Sequence, residues 1–134
     1  MTNARVEKVY ADRMHAREFF SQAVQFRADA DNKDLSAESQ AVLLHNAAIC
    51  ACDAILQAVG LRVTPGDRSH VLRLETALDQ FEDDTTELLE RLDASRERRH
   101  VVSYAASFTP QASLAEAREA TSELIDLADL MLKD

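Results

Sequence analysis

Apolar residues recur every three or four positions through most of the chain, in five segments parted by short polar breaks. That spacing predicts five helices. The first is expected from about Ala4 to Ala30, where Val6, Val9 or Tyr10, Arg13, Ala16 or Arg17, Phe20, Val24 and Phe26 follow an imperfect helical period, and the run from Asp29 to Asp34 ends it. The second has the clearest signals. Ser36 is an N-cap residue and Gly60 a stop signal just past Val59, since a hydroxyl satisfies a free backbone N–H and glycine accepts a left-handed backbone at no steric cost. Its stripe of Leu43, Leu44, Ala47, Ala48, Cys52, Ile55, Leu56 and Val59 is long and rich in small side chains, so another helix can approach closely. It reads as the central helix.

The stretch from Leu61 to Gly66 contains Pro65-Gly66 and reads as a loop. Asp67 or Ser69 is then expected to cap a third helix with Val71, Leu72, Leu74, Leu78 and Phe81 facing inward. The run from Glu82 to Thr85 interrupts the pattern, and a fourth helix begins at Asp84 or Thr85, carrying Leu88, Leu89 and Leu92. The last connection runs from Phe108 to Ser113, where Ser113 and Glu116 form a capping-box pattern. A fifth helix, reaching Leu132, carries Leu114, Ala117, Ala120 or Thr121, Leu124, Ile125 and Ala128.

Composition supports this picture. Two glycines and two prolines in 134 residues leave few turns, so an all-α, five-helix up-and-down bundle in a single domain over residues 1–134 is expected. A net charge of −9 argues against a protein that binds duplex DNA over its whole surface, because neutralising phosphates needs a broad basic field. Cys50 and Cys52 stand two apart on a helix, pointing to roughly opposite sides, and so neither bridge nor clip a metal. They read as small semi-buried residues in a reducing compartment. The first residues lack the apolar core of a signal peptide and no run approaches the length of an apolar membrane span, so the chain reads as cytoplasmic and soluble, without a membrane partner.

One stretch changes the picture. Ser-Arg-Glu-Arg-Arg-His-Val-Val-Ser-Tyr, residues 95–104, gathers three arginines, a histidine and a tyrosine in an acidic chain. With Arg96 set at zero, Leu88, Leu89 and Leu92 fall at about −80°, 20° and −40° around the helix and define its inward face. Arg99, Ser103 and His100 fall at about −60°, −20° and 40°, and Tyr104 at about 80°. The polar residues therefore continue the leucine stripe, whereas Arg98, at about 200°, points away. Guanidinium groups on a sheltered face need acidic neighbours, a cleft, a subunit interface or a bound anion. The bland alternative is a helix that ends or bends near Ser95 and leaves these arginines in water.

Five helices, a long alanine-rich second helix and the sequence Arg99-His100-Val-Val-Ser-Tyr104 late in the fourth resemble the HEPN superfamily. Its ribonuclease members carry an arginine, usually a polar residue after it, and a histidine after four to six intervening residues, often with a tyrosine two beyond. In this sequence Arg99 takes the arginine place, His100 the polar place, and Tyr104 stands where the histidine is expected; some small HEPN branches resemble this Arg-x-x-x-x-Tyr form. The resemblance implies a homodimer in which two fourth helices pool their residues in an RNA cleft. It implies catalytic roles for Arg99, His100 and Tyr104, and binding roles for Arg96, Ser103 and, from the second helix, His45. Arg96 and Arg99 would stabilise the phosphorane, and His100 suits proton transfer near neutral pH better than Tyr104, whose ordinary pKa is about 10. The resemblance thus points to a metal-independent, RNA-directed ribonuclease or RNA-binding protein of toxin–antitoxin or defence-system type. The tyrosine bears on cleavage more than on binding RNA, an antitoxin or another partner protein. The rival expectation is a non-catalytic HEPN-like interaction module that regulates a partner such as a nucleotidyltransferase.

The remaining histidines invite plainer readings. His45 lines the same cavity or packs at its rim, His70 lies at the surface beside Asp67 and Arg68, and His15 is exposed among Arg13, Arg17 and Glu18. Asp12, Asp67 and Glu97 each precede a histidine by three residues, but a metal site needs three or four converging ligands, so no metal is expected. No glycine-rich phosphate loop is present and no cofactor is expected. Glu116, Glu119, Glu123, Asp126 and Asp129 make the last helix an acidic, mainly solvated face.

Overall fold

The computed structural model describes residues 3–105 and 111–133, together with the side chains of all of these except 96–105. The architecture is an all-α bundle of five helices with one two-stranded ribbon: β1 (Val6–Lys8), α1 (Arg13–Asp29), α2 (Ala37–Val59), β2 (Leu61–Val63), α3 (Ser69–Leu78), α4 (Thr86–Ala105) and α5 (Gln111–Leu132). Helix α2 begins and ends at the expected residues. The Ser36 hydroxyl accepts the N–H of Ser39 at 3.1 Å, and Gly60 takes the left-handed conformation at φ 79°.

Helix α2 occupies the centre, packed against α1, α3, α4 and α5. Leu44, Ala47, Cys50, Ala51, Cys52, Ala54, Ile55 and Leu56 are all buried along it. Both cysteines are buried despite facing different sides, because α2 has neighbours on more than one side. By length and composition alone, α2 is also apolar enough to cross a membrane, with a mean hydropathy of 1.6. Ala16, Ala54 and Leu132 cluster at one end of the bundle, and Ala30, Leu44 and Leu114 at the other. Helix α1 therefore runs antiparallel to α2, and α5 parallel to it. Ion pairs secure the outer contacts: Asp31 is held by Arg27 at 2.8 Å and by Arg118 of α5 at 3.1 Å, and Arg91 of α4 reaches Glu123 of α5 at 2.8 Å.

The first predicted helix is too long at its start. Residues Val6–Lys8 form a strand antiparallel to Leu61–Val63, with Val6 opposite Val63, so the expected loop at 61–66 also begins as a strand. The spacing of Val6, Val9 and Tyr10 mimics a helical stripe, yet Val6 is 40% and Tyr10 97% exposed, so no inward face exists there. Pairing with a distant segment satisfies this backbone instead. Helix α1 starts only after Asp12, whose carboxylate accepts the N–H of His15 at 3.0 Å. The Asp12–His15 spacing is thus a cap and not half a metal site.

Helix α3 is not capped by Asp67 or Ser69: Arg68 occupies the capping position, in a left-handed conformation at φ 64°, with no side-chain cap. Leu74, Ala77 and Leu78 are its buried residues, with Val71, Leu72 and Phe81 half-buried. Asp84 accepts the N–H of Thr86 at 3.0 Å and fixes the start of α4. Leu88 and Leu92 are buried there, and Leu89 is half-buried. Helix α5 begins at Gln111, two residues before Ser113; residues 108–110 of the expected connection lie outside the described residues.

A Cβ on Gly60 would stand 2.7 Å from the Val9 carbonyl oxygen and 3.2 Å from the Ala11 nitrogen, in addition to the positive φ. Gly60→Ala is therefore expected to destabilise the fold by about 1–3 kcal/mol, measured by urea denaturation.

Candidate functional site

Helices α2, α3, α4 and α5 enclose a cavity of about 60 Å³, open on one side. Each helix contributes through its local period. From α2 come Leu44, His45, Ala48, Ile49 and Cys52, a set spaced three and four apart along one face. Helix α3 adds His70, Arg73 and Leu74, again three and four apart, while α4 adds Leu92 and Ser95 and α5 adds Ala117 and Thr121. Most of this surface is apolar. Alanines at 41, 48 and 117 leave the space that larger side chains would fill.

Two imidazoles stand in the lining. The rings of His45 and His70 have centroids 5.6 Å apart and are tilted by 56°. His45 thus occupies the cavity wall. His70 is exposed, in line with its surface assignment, and its ring also borders the cavity beside His45. The charges at Asp67 and Arg68 suggested a solvated helix start, and the overlooked signal was the four-residue spacing of His70 to the inward Leu74. Arg73, also overlooked, lies one turn after His70.

Arg73 approaches Asp53 of α2, with Nε 3.2 Å from Oδ1, close enough for an ion pair but outside hydrogen-bond geometry. Burial pushes the Asp53 carboxyl above its ordinary range, and this desolvation outweighs the attraction of Arg73 and of His15. The same environment pushes the Cys52 thiol up to about 12, chiefly by burial and then by the nearby Asp53, so it is not a nucleophile at neutral pH. The Cys50 thiol is also raised, again by burial first and Asp53 second. Ser95 donates its hydroxyl to the Arg91 carbonyl at 3.0 Å, an ordinary bond to the preceding turn.

Of the predicted site residues, His45 is placed at this cavity. Arg96, Arg99, His100, Ser103 and Tyr104 all belong to α4, which remains helical to Ala105 and does not end at Ser95. Their side chains lie outside the described residues. The acidic face of α5 is partly used within the chain, since Glu119 and Glu123 both approach Arg91 at 3.7 and 2.8 Å. Among the described residues, no group of three or more His, Cys, Asp or Glu side chains converges as a metal site. Comparison with protein-family models, with curated proteins and with solved structures gives no match.

The raised pKa of Asp53 has a definite sign. Between the unfolded and the higher folded value, the native state binds more protons, so stability falls as pH rises through that window. The isosteric Asp53→Asn keeps the neutral form at every pH and is expected to match the wild type at about pH 3 and to equal or exceed its stability at about pH 7. Urea midpoints across that pH range measure the difference. A salt bridge with a net stabilising effect would give the reverse order.

Proposed function

We propose that this chain is an HEPN-like, RNA-directed protein that acts as a homodimer and cleaves or binds single-stranded RNA, in the manner of a toxin–antitoxin or defence component. The observation that carries this reading is the unbroken course of α4 through residues 95–105. Leu92 and Ser95 both line the cavity. By helical period they fall at about −40° and −100°, and Arg99 falls between them at about −60°, one turn beyond Ser95. A basic, polar continuation of a cavity-lining row is the arrangement that an anionic ligand or a second copy of the helix would complete. Arg91 supports the same logic within the chain, because the one arginine of α4 whose side chain is described has acidic partners on α5.

Cleavage in this reading needs no metal. The ribose 2′-oxygen attacks phosphorus, its proton passes to a general base, and a general acid protonates the departing 5′-oxygen. The products are a 2′,3′-cyclic phosphate and a 5′-hydroxyl end. His100 is assigned the proton transfer. Arg96 and Arg99 are assigned the developing negative charge on the phosphorane, where preorganised cations act most strongly. Tyr104 and Ser103 supply hydroxyls to the same cleft, and His45 approaches it from α2.

The test is incubation of the purified chain with single-stranded RNA and analysis of the ends produced. Cyclic-phosphate ends are expected, with Arg99→Ala slowing the reaction by about 10²–10³ and His100→Ala by about 10²–10⁴. Circular dichroism should show both variants folded. Intact RNA at high concentrations of folded protein overturns cleavage, and Tyr104 in the histidine place then favours the non-catalytic module that engages a partner protein.

A further inference from the structure

The cavity between α2, α3, α4 and α5 holds a cation that the fold does not fully use. Among the described residues, Arg73 is the one lining side chain that stays charged at every ordinary pH. Its Nε is buried and makes no hydrogen bond, since Asp53 Oδ1, 3.2 Å away, lies outside bonding geometry. A buried donor left in that state costs free energy, and native folds leave few of them. Burial also raises the Asp53 carboxyl above its ordinary range, which weakens it as a counter-charge. A guanidinium carries five N–H donors in a planar fork that fits a carboxylate through two parallel bonds. Asp53 meets that fork at Nε, so the two terminal nitrogens form the edge left for a second carboxylate.

The rest of the lining selects the body of such a ligand. Leu44, Leu74 and Leu92 give apolar walls, and Ala41, Ala48 and Ala117 leave the space where the helices meet. Apolar walls with a few polar groups are the usual make-up of a small-molecule site. A phosphate would bring a strongly hydrated anion against leucine and alanine. An aliphatic acid buries its chain there and has only two oxygens to satisfy. We propose that this cavity binds a short aliphatic monocarboxylate, its chain among the leucines and alanines and its carboxylate on the terminal nitrogens of Arg73. The site goes beyond the RNA-directed reading and does not rest on it, because it uses no arginine of α4.

The test titrates the full chain at fixed pH with hexanoate, acetate, 1-hexanol and inorganic phosphate. The ring signals of His45 and His70, which border the cavity, are followed by NMR. Hexanoate is expected to shift them saturably, with a Kd on the order of 1 mM. Acetate lacks the chain and 1-hexanol lacks the charge, so each is expected to bind about tenfold more weakly. Arg73→Gln and Ala48→Leu, which fills the space, should each weaken hexanoate binding about tenfold. Asp53→Asn removes the competing carboxylate and should tighten it about threefold. Thermal melts check that each variant is folded; where Arg73→Gln does not fold, Asp53→Asn and Ala48→Leu carry the test. Absence of saturable shifts overturns the site, as does hexanoate affinity unchanged by these substitutions. Hexanol binding as tightly as hexanoate overturns the carboxylate, equal binding of acetate overturns the chain, and equal binding of phosphate overturns both. RNA cleavage without hexanoate binding removes this site and leaves the function standing, whereas hexanoate binding with RNA left intact does the reverse.

Discussion

Close packing around α2 is the constraint on which the rest of the bundle depends. The distance between two helices is set by the side chains at their contact, roughly 8–10 Å between axes. Along α2, Ala47, Ala51 and Ala54 are fully buried and present little bulk. Ala16 of α1 meets Ala54 in one cluster, and Ala23 joins Ala47 and Ala51 in the main core. Larger residues such as Leu44 and Ile55 then carry much of the buried apolar surface, each worth about 1.5–3 kcal/mol of transfer free energy. Because small residues also face the cavity at Ala41, Ala48 and Ala117, the same economy of side-chain volume that brings helices together leaves a gap where four of them meet.

That gap adjoins the least hydrophobic helix. Helix α4 buries Leu88 and Leu92 in its first half and then passes Ser95 into the basic stretch. Imidazoles on α2 and α3 and hydroxyls on α4 and α5 thus line one cavity. Arg73 lines it and stands 3.2 Å from Asp53 of α2, whose carboxyl burial pushes above its ordinary range.

Most of the helical layout was legible because it depends on local chemistry. Ser36 and Gly60 bound α2 as a cap and a left-handed stop, and both act within a few residues of themselves. The amino-terminal ribbon was not legible. Whether Val6–Lys8 is helix or strand is decided by Leu61–Val63, which no local period reveals. The start of α3 was misassigned for a related reason: Arg68 adopts a left-handed backbone that its side chain gives no cause to expect. At the site, the place of His45 on a central helix left it between cavity wall and rim, and His70 was read as a surface residue, whereas its cavity side was masked by charged neighbours that do face water. Arg73 needed the position of Asp53, and the fourth-helix residues were legible as a row on a helix, since α4 does extend to Ala105.

The ribbon also bears on how the chain matures. Val6 leaves the ribosome long before Val63, and all of α1 and α2 must be synthesised between them. The α1–α2 hairpin can close from nearby contacts, but the segment ahead of it has no partner until β2 emerges, so long-range closure comes late. Gly60 gives that final pairing its corner, accepting the Val9 N–H at 2.9 Å beneath a backbone too close to admit a side chain. The strap is therefore a latch fastened after the central hairpin, and its fastening reports that translation has passed the end of α2.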